Sequence, residues 1–180
     1  MRSVKTASLT LEPQTIAHSE QMFVVLSDPA IYAFENEPPP SLEWLRARFA
    51  KLESRQSPDG QAQWLNWVVR LPTSELIGFV QATVHQNGFA DIAYVFASAH
   101  WGRGLAREAV EAMIAELIAH YPVRALSAVL KRENVRSLKL LKRLGFSLAS
   151  AAEHVEHQVA IDELLMHLHL QLSVVAPFSS

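Results

Sequence analysis

Apolar positions along this chain repeat with two different periods, and the switches between them mark out the elements. Thr6 to Glu12 alternates as a short first strand, and Thr15 to Leu26 then sets Ile16, Met22, Val25 and Leu26 on one helical face before the Ser27-Asp28-Pro29 break. Ile31 to Pro40 contains Glu35, Glu37 and the Pro38-Pro39-Pro40 run, which favours an extended loop. Ser41 suits an N-cap with Glu43 in the first turn, and Leu42, Leu45, Phe49 and Leu52 give an amphipathic helix ending near Ser54. After the Ser57-Pro58-Asp59-Gly60 turn, the stretches Gln63 to Leu71, Leu76 to Val84 and Phe89 to Ala97 are β-branched and aromatic. Pro72-Thr73-Ser74 and Asn87-Gly88 separate them, so they read as an antiparallel meander.

Gly104 to His120 places Leu105, Ala109, Met113 and Leu117 on one face with Glu108, Glu111 and Glu116 elsewhere, a helix stopped by Pro122. Ala125 to Leu130 has no polar face and reads as a central strand. Asn134 to Leu144 is a further helix with Val135, Leu138 and Leu141 inside, Lys139, Lys142 and Arg143 toward its C-terminal end, and Gly145 just beyond it. Ser147 to Val155 and Asp162 to Leu172 close the pattern as two strands. With no repeat and no linker, residues 1–180 form a single domain with its core over about 7–170. The order β-α-α-β-β-β-α-β-α-β-β predicts an α+β class with a mixed, mostly antiparallel sheet flanked by helices.

Composition narrows the functions open to such a domain. The 180 residues carry 18 Asp+Glu against 16 Lys+Arg, a net charge of −2, so binding to a polyanion such as nucleic acid is not expected. The absence of cysteine removes disulfides, thiol nucleophiles and thiolate metal sites. The longest apolar run, Ile92 to Ala97, falls far short of the ~20 residues of a membrane span, and Met1 to Thr10 has no apolar signal segment, so a cytoplasmic location is expected.

The stretch from His100 to Ala109 carries the chemistry. Gly102 and Gly104 stand at a strand-to-helix turn, where backbone can approach a ligand closely and the first helical N–H groups suit a phosphate. A dinucleotide fingerprint would require glycine at Arg107, and no Gly-Lys-Ser/Thr phosphate loop occurs. Trp101-Gly102-Arg103-Gly104-Leu105-Ala106 instead resembles the Q/R-x-x-G-x-G/A acetyl-CoA motif of the GNAT superfamily of N-acetyltransferases, and in particular its ribosomal-protein N-terminal acetyltransferase branch. Ile92 to Phe96 is similar to that branch's I-G-Y-x-L strand. Glu133-Asn134-Val135-Arg136-Ser137-Leu138, followed by Lys142 to Phe146, is similar to its N-x-x-S helix and K-L-G-F ending. The chain departs from the pattern at Trp101, where a polar contact is lost, at Arg107, which replaces a small residue, and at Ala93, which replaces a glycine.

The resemblance implies the GNAT fold, in which the fourth and fifth strands splay and pantetheine pairs with the fourth, here Tyr94, Val95, Phe96 and Ala97. It also implies that a protein N-terminus or small-molecule amine attacks acetyl-CoA directly in a ternary complex. A backbone N–H at Tyr94 or Val95 would stabilise the oxyanion, and Ser137 would serve the departing sulfur. Residues 101 to 107 and Asn134 with Ser137 are the expected cofactor contacts; Asn134 also suits a helix N-cap, and Ser137 a bond to its own helix. Asp91 stands where some relatives carry a carboxylate base, or is a hairpin residue. Glu35 and Glu37 lie in the loop that rims the acceptor site in relatives.

His154, His157, His167 and His169 invite a metal reading, but no carboxylate or cysteine spacing completes a site and the resemblance requires no metal. Trp44, Trp64 and Trp67 read as core or pocket wall. The competing function is a non-catalytic acyl-CoA-binding or sensing domain of the same fold. The sequence leaves the acceptor, and a homodimer, open.

Overall fold

The structure, a computed structural model, describes residues 1–34 and 37–170. Among them eight strands form one sheet, in the order β1 (Val4–Lys5), β2 (Thr10–Pro13), β3 (Ala62–Arg70), β4 (Leu76–His85), β5 (Phe89–Phe96), β6 (Ala125–Lys131), β8 (Glu163–His169), β7 (Ser147–Leu148). All neighbours are antiparallel except β5 and β6. The alternation along β4 assigns the two faces. Val80, Ala82 and Val84 pack with Ala109, Val110, Met113 and Leu117 of α3 (Leu105–His120) and Leu141 of α4 (Val135–Arg143). Phe79 joins Met22 and Val25 of α1 (Ser19–Val25) and Leu45 and Phe49 of α2 (Leu42–Leu52) on the other face. The expected mixed sheet with flanking helices is thus the observed one, and Ser41 caps α2 as expected, its hydroxyl accepting from the Trp44 N–H at 3.1 Å.

Four local expectations are corrected. The first strand is split, because the Leu9 carbonyl accepts from both the N–H and the hydroxyl of Thr6 and turns the chain between β1 and β2. Ile16 opens a short 3₁₀ turn ahead of α1 and is exposed. Glu116 faces inward, only 4% exposed, where Arg2 meets it at 3.0 Å. The expected strand from Ser147 to Val155 ends at Leu148, since Ser150 and Glu153 form a reciprocal capping box that starts α5 (Ala151–Glu156). The last strand ends at His169 and Leu170 is already outside it; the remaining two residues of the expected strand, 171 and 172, lie outside the described residues.

What positions the site is the way β5 leaves β6. Parallel pairing covers only Phe89↔Ala125, Ala90↔Leu126 and Asp91↔Ser127, while β5 stays on β4 to Gly78↔Phe96 and β6 stays on β8 to Lys131↔Glu163. Gly78 permits this: a Cβ there would lie 2.1 Å from the Val95 carbonyl oxygen, so only glycine lets β4 hold the end of β5 so closely. The Ala97 N–H to Ile77 carbonyl bond of 2.9 Å extends the grip by one residue. From Ile92 onward, β5 therefore presents unpaired backbone to a gap.

Candidate active site

A cleft of about 780 Å³ runs through that gap, lined by Ile92 to Phe96 on one side and Ala128 to Leu130 on the other. At one end stands the turn between β5 and α3. Gly102 and Gly104 have φ of 75° and 81°, the left-handed region, and a Cβ on either would meet nothing within 4 Å. Gly104 is the N-cap of α3 and offers no side-chain cap, so the first-turn N–H groups at the cleft wall keep their hydrogen-bonding capacity. Arg107, Arg136, Lys139 and Arg143 add positive charge there. An uncapped 16-residue helix, a turn opened by two glycines and four cations fit the pyrophosphate and phosphate of acetyl-CoA.

Trp101 does more than the loss of a polar contact suggested. Its indole N–H donates to the Phe96 carbonyl at 2.8 Å, tying the turn to the end of β5. The Arg136 guanidinium stacks on its ring, 3.6 Å from the centroid, which holds the cation at the cleft wall. Arg107 lines the cleft and bonds Glu111 one turn on at 2.8 Å, whereas Arg103 bonds His100 at 3.2 Å and is not among the lining residues.

In the middle of the cleft the Ser137 hydroxyl lies 2.6 Å from that of Tyr94. Asn134 caps α4 by accepting the Ser137 N–H at 3.1 Å, which fixes the first turn of the helix with Ser137 facing β5. Burial pushes the Tyr94 phenol up to about 12, so it stays protonated and Ser137 has a neutral partner. The resemblance implies a backbone role for Tyr94; its side-chain contact with a residue 43 positions away has no sequence signal.

At the far end, Tyr32, Phe34, Trp44, Phe49 and Phe79 form an aromatic wall over Gln14, Asn66 and Gln81. Arg48 stands over the Trp44 ring at 5.5 Å. The rim is anchored by Asp28, which accepts the Ser98 N–H at 2.7 Å and the Ala30 N–H at 2.9 Å; these bonds hold its carboxyl below the usual range. Glu37 sits exposed at this rim, and Glu35 lies outside the described residues. Asp91 is on the last β5–β6 pair, half-turned to solvent, accepting the Ser127 hydroxyl and lying 2.8 Å from His85 Nε2, and it does not line the cleft. No cluster of three or more metal-ligating side chains occurs among the described residues, and no helix among them is long and apolar enough to cross a membrane.

Residues 8–147 match the family model described as acetyltransferase (GNAT) domain. An uncharacterized N-acetyltransferase p20 of Bacillus licheniformis is 28% identical over 148 residues, which cover 81% of this chain and 83% of that one. A putative GnaT-family acetyltransferase from Bordetella pertussis is 26% identical, with a TM-score of 0.71 over 93% of this chain and 99% of the other. The ribosomal L7/L12 alpha-N-protein acetyltransferase RimL in complex with coenzyme A shares the fold at 14% identity, with a TM-score of 0.79 over 93% and 98% of the two chains.

Proposed function

Because the chain belongs to the GNAT acetyltransferase family, we propose that it moves the acetyl group of acetyl-CoA to a primary amine by direct attack in a ternary complex. The amine is that of a protein N-terminus or a small molecule. The observation that carries this reading is the convergence of three features on one cleft: the glycine turn at the start of α3, the unpaired backbone of β5, and the Ser137 hydroxyl.

Acetyl-CoA supplies the activated acyl group. The residues that would hold it are Gly102 and Gly104 to Arg107, through backbone N–H groups, with Arg136, Lys139 and Arg143 for its phosphates. Along β5 the N–H and carbonyl of Tyr94 and the N–H of Phe96 offer the partners an added strand would use, whereas the Phe96 carbonyl is taken by Trp101 and the Ala97 N–H by Ile77. By the alternation that runs back from the Ala97–Ile77 bond, the Val95 N–H turns to β4 and the Tyr94 N–H to the gap, so of the two it is the Tyr94 N–H that suits the negative charge growing on a carbonyl oxygen under attack. Ser137 Oγ holds a proton for the leaving sulfur while accepting a hydrogen bond from Tyr94. Since Asp91 stands outside the cleft, the acceptor gives its proton to water in this reading, and a cytoplasmic setting belongs to the same proposal.

The test is coenzyme A release, followed with a thiol reagent, across a panel of amines, together with calorimetric binding of acetyl-CoA. Amine-dependent release supports a transferase. Tight binding without release for any amine would instead indicate a sensing domain, and no binding would refute both.

A further inference from the structure

On the premise that the cleft is the acyl-transfer site, we propose that Gln81, Asn66 and Gln14 form a recognition row for the acceptor. The row selects a monoamine whose body is uncharged and hydrogen-bonding, and rejects a diamine or polyamine. The row follows from strand register. Ala93, in the parted part of β5, pairs with Gln81, Gln81 pairs with Asn66, and the Gln14 N–H bonds the Asn66 carbonyl at 2.9 Å. Neighbouring strands are ~5 Å apart, so the three carboxamides extend stepwise from the reaction point across the sheet face, beneath the aromatic wall. A short amine seated at Ala93 therefore reaches Gln81 first and Asn66 next.

These carboxamides have hydrogen-bonding capacity to give. Gln14 is 2% exposed and its Nε2 has no partner, although the residue borders the cleft. An orphaned buried amide is costly, and a bound polar group relieves it. The charges around the row point the same way. Glu37, exposed at the rim, is the one carboxylate among the described lining residues, whereas Arg48 stands at this end of the cleft. A second ammonium placed here would be desolvated against neutral amides and face a like charge.

The matched probes are 4-aminobutan-1-ol and 1,4-diaminobutane, equal in length and differing in a terminal hydroxyl or ammonium. In wild-type protein, kcat/KM from coenzyme A release is expected to favour the amino alcohol by at least about tenfold. Gln81→Glu, which puts a carboxylate into the row, is expected to shift that ratio by about tenfold toward the diamine through KM while acetyl-CoA affinity stays at the wild-type value. Gln14→Met, which removes the orphan amide, is expected to raise KM for the amino alcohol severalfold. A wild-type preference for the diamine overturns the inference. So does an unmoved ratio in a Gln81→Glu protein that binds acetyl-CoA normally; if that variant does not fold, an unchanged KM in Gln14→Met does the same. Release with neither probe nor any other amine refutes the transferase reading itself, and the row's role falls with it.

Discussion

Replacing Tyr94 by Phe removes one oxygen from the cleft and isolates what the Tyr94–Ser137 contact contributes. The 2.6 Å separation is short for a pair of hydroxyls, and the phenol, pushed up to about 12, keeps its proton at neutral pH and has it to donate. A net neutral hydrogen bond is worth about 0.5–1.5 kcal/mol. If its role is to aim the Ser137 proton at the leaving sulfur, the same amount appears on the barrier and kcat falls by a factor of about 2 to 13, with little change in acceptor KM. Ser137→Ala should lose at least as much, and the double variant no more than Ser137→Ala alone, because the two hydroxyls act through one contact. The rate–pH profile should keep its shape in Tyr94→Phe, since the phenol does not titrate near neutrality. The assay is initial-rate coenzyme A release at saturating acetyl-CoA, with melting temperature as the check on folding. Wild-type kcat in a folded Tyr94→Phe protein, or losses that simply multiply in the double variant, would refute the coupling.

Two further outcomes follow from other parts of the structure. Gly104→Ala places a Cβ in the open space before the turn at a φ of 81°, so it should cost about 1–2 kcal/mol of stability and weaken acetyl-CoA binding by more than about tenfold; an unchanged Kd by calorimetry would dissociate the turn from the cofactor. His167 is buried with neither ring nitrogen hydrogen-bonded, and desolvation lowers its pKa from 6.5 despite the Glu153 carboxylate 3.8 Å from Nε2. The unfolded chain therefore binds the proton more readily. This contribution is complete above about pH 6.5 and is lost as pH falls from there through the folded value, so His167→Gln should flatten the melting temperature between pH 5 and 7, and a slope identical to wild type would contradict it.

How far the site could be read from the sequence depended on the range of the signal. Gly102 and Gly104, the Ser41 and Asn134 caps and the Asn87-Gly88 turn are local, each needing only a few neighbours, and the structure places them where the pattern put them. The capping box at Ser150 and Glu153 is equally local, yet it falls inside the stretch from Ser147 to Val155 that reads as a single strand. Tyr94 with Ser137, Trp101 with Arg136, and the row from Ala93 to Gln14 join residues far apart in the chain. They exist only once register is set, and register is decided by packing on both sheet faces. The departure of β5 from β6 is implied by resemblance alone; the residue that permits it, Gly78 beneath Val95, reads in sequence as an ordinary strand glycine.

That departure also bears on how the molecule comes apart. Between the block β1 to β5 and the block β6, β8, β7, the backbone ladder has three register pairs, reinforced by the Ser127–Asp91 side-chain bond and by the Gly88 carbonyl accepting the Arg124 N–H at 2.7 Å. The ladder's continuity breaks at this narrow waist, which makes it the natural boundary between two cooperative opening units. Amide exchange should therefore report separate protection for the two blocks in the free protein, with Ala125 and Ser127, whose N–H groups face β5, among the first central-strand amides to open. A molecule lodged between the blocks bonds to both, merging the two units into one, so ligand strengthens the sheet as a whole at the place where its own hydrogen bonds run out.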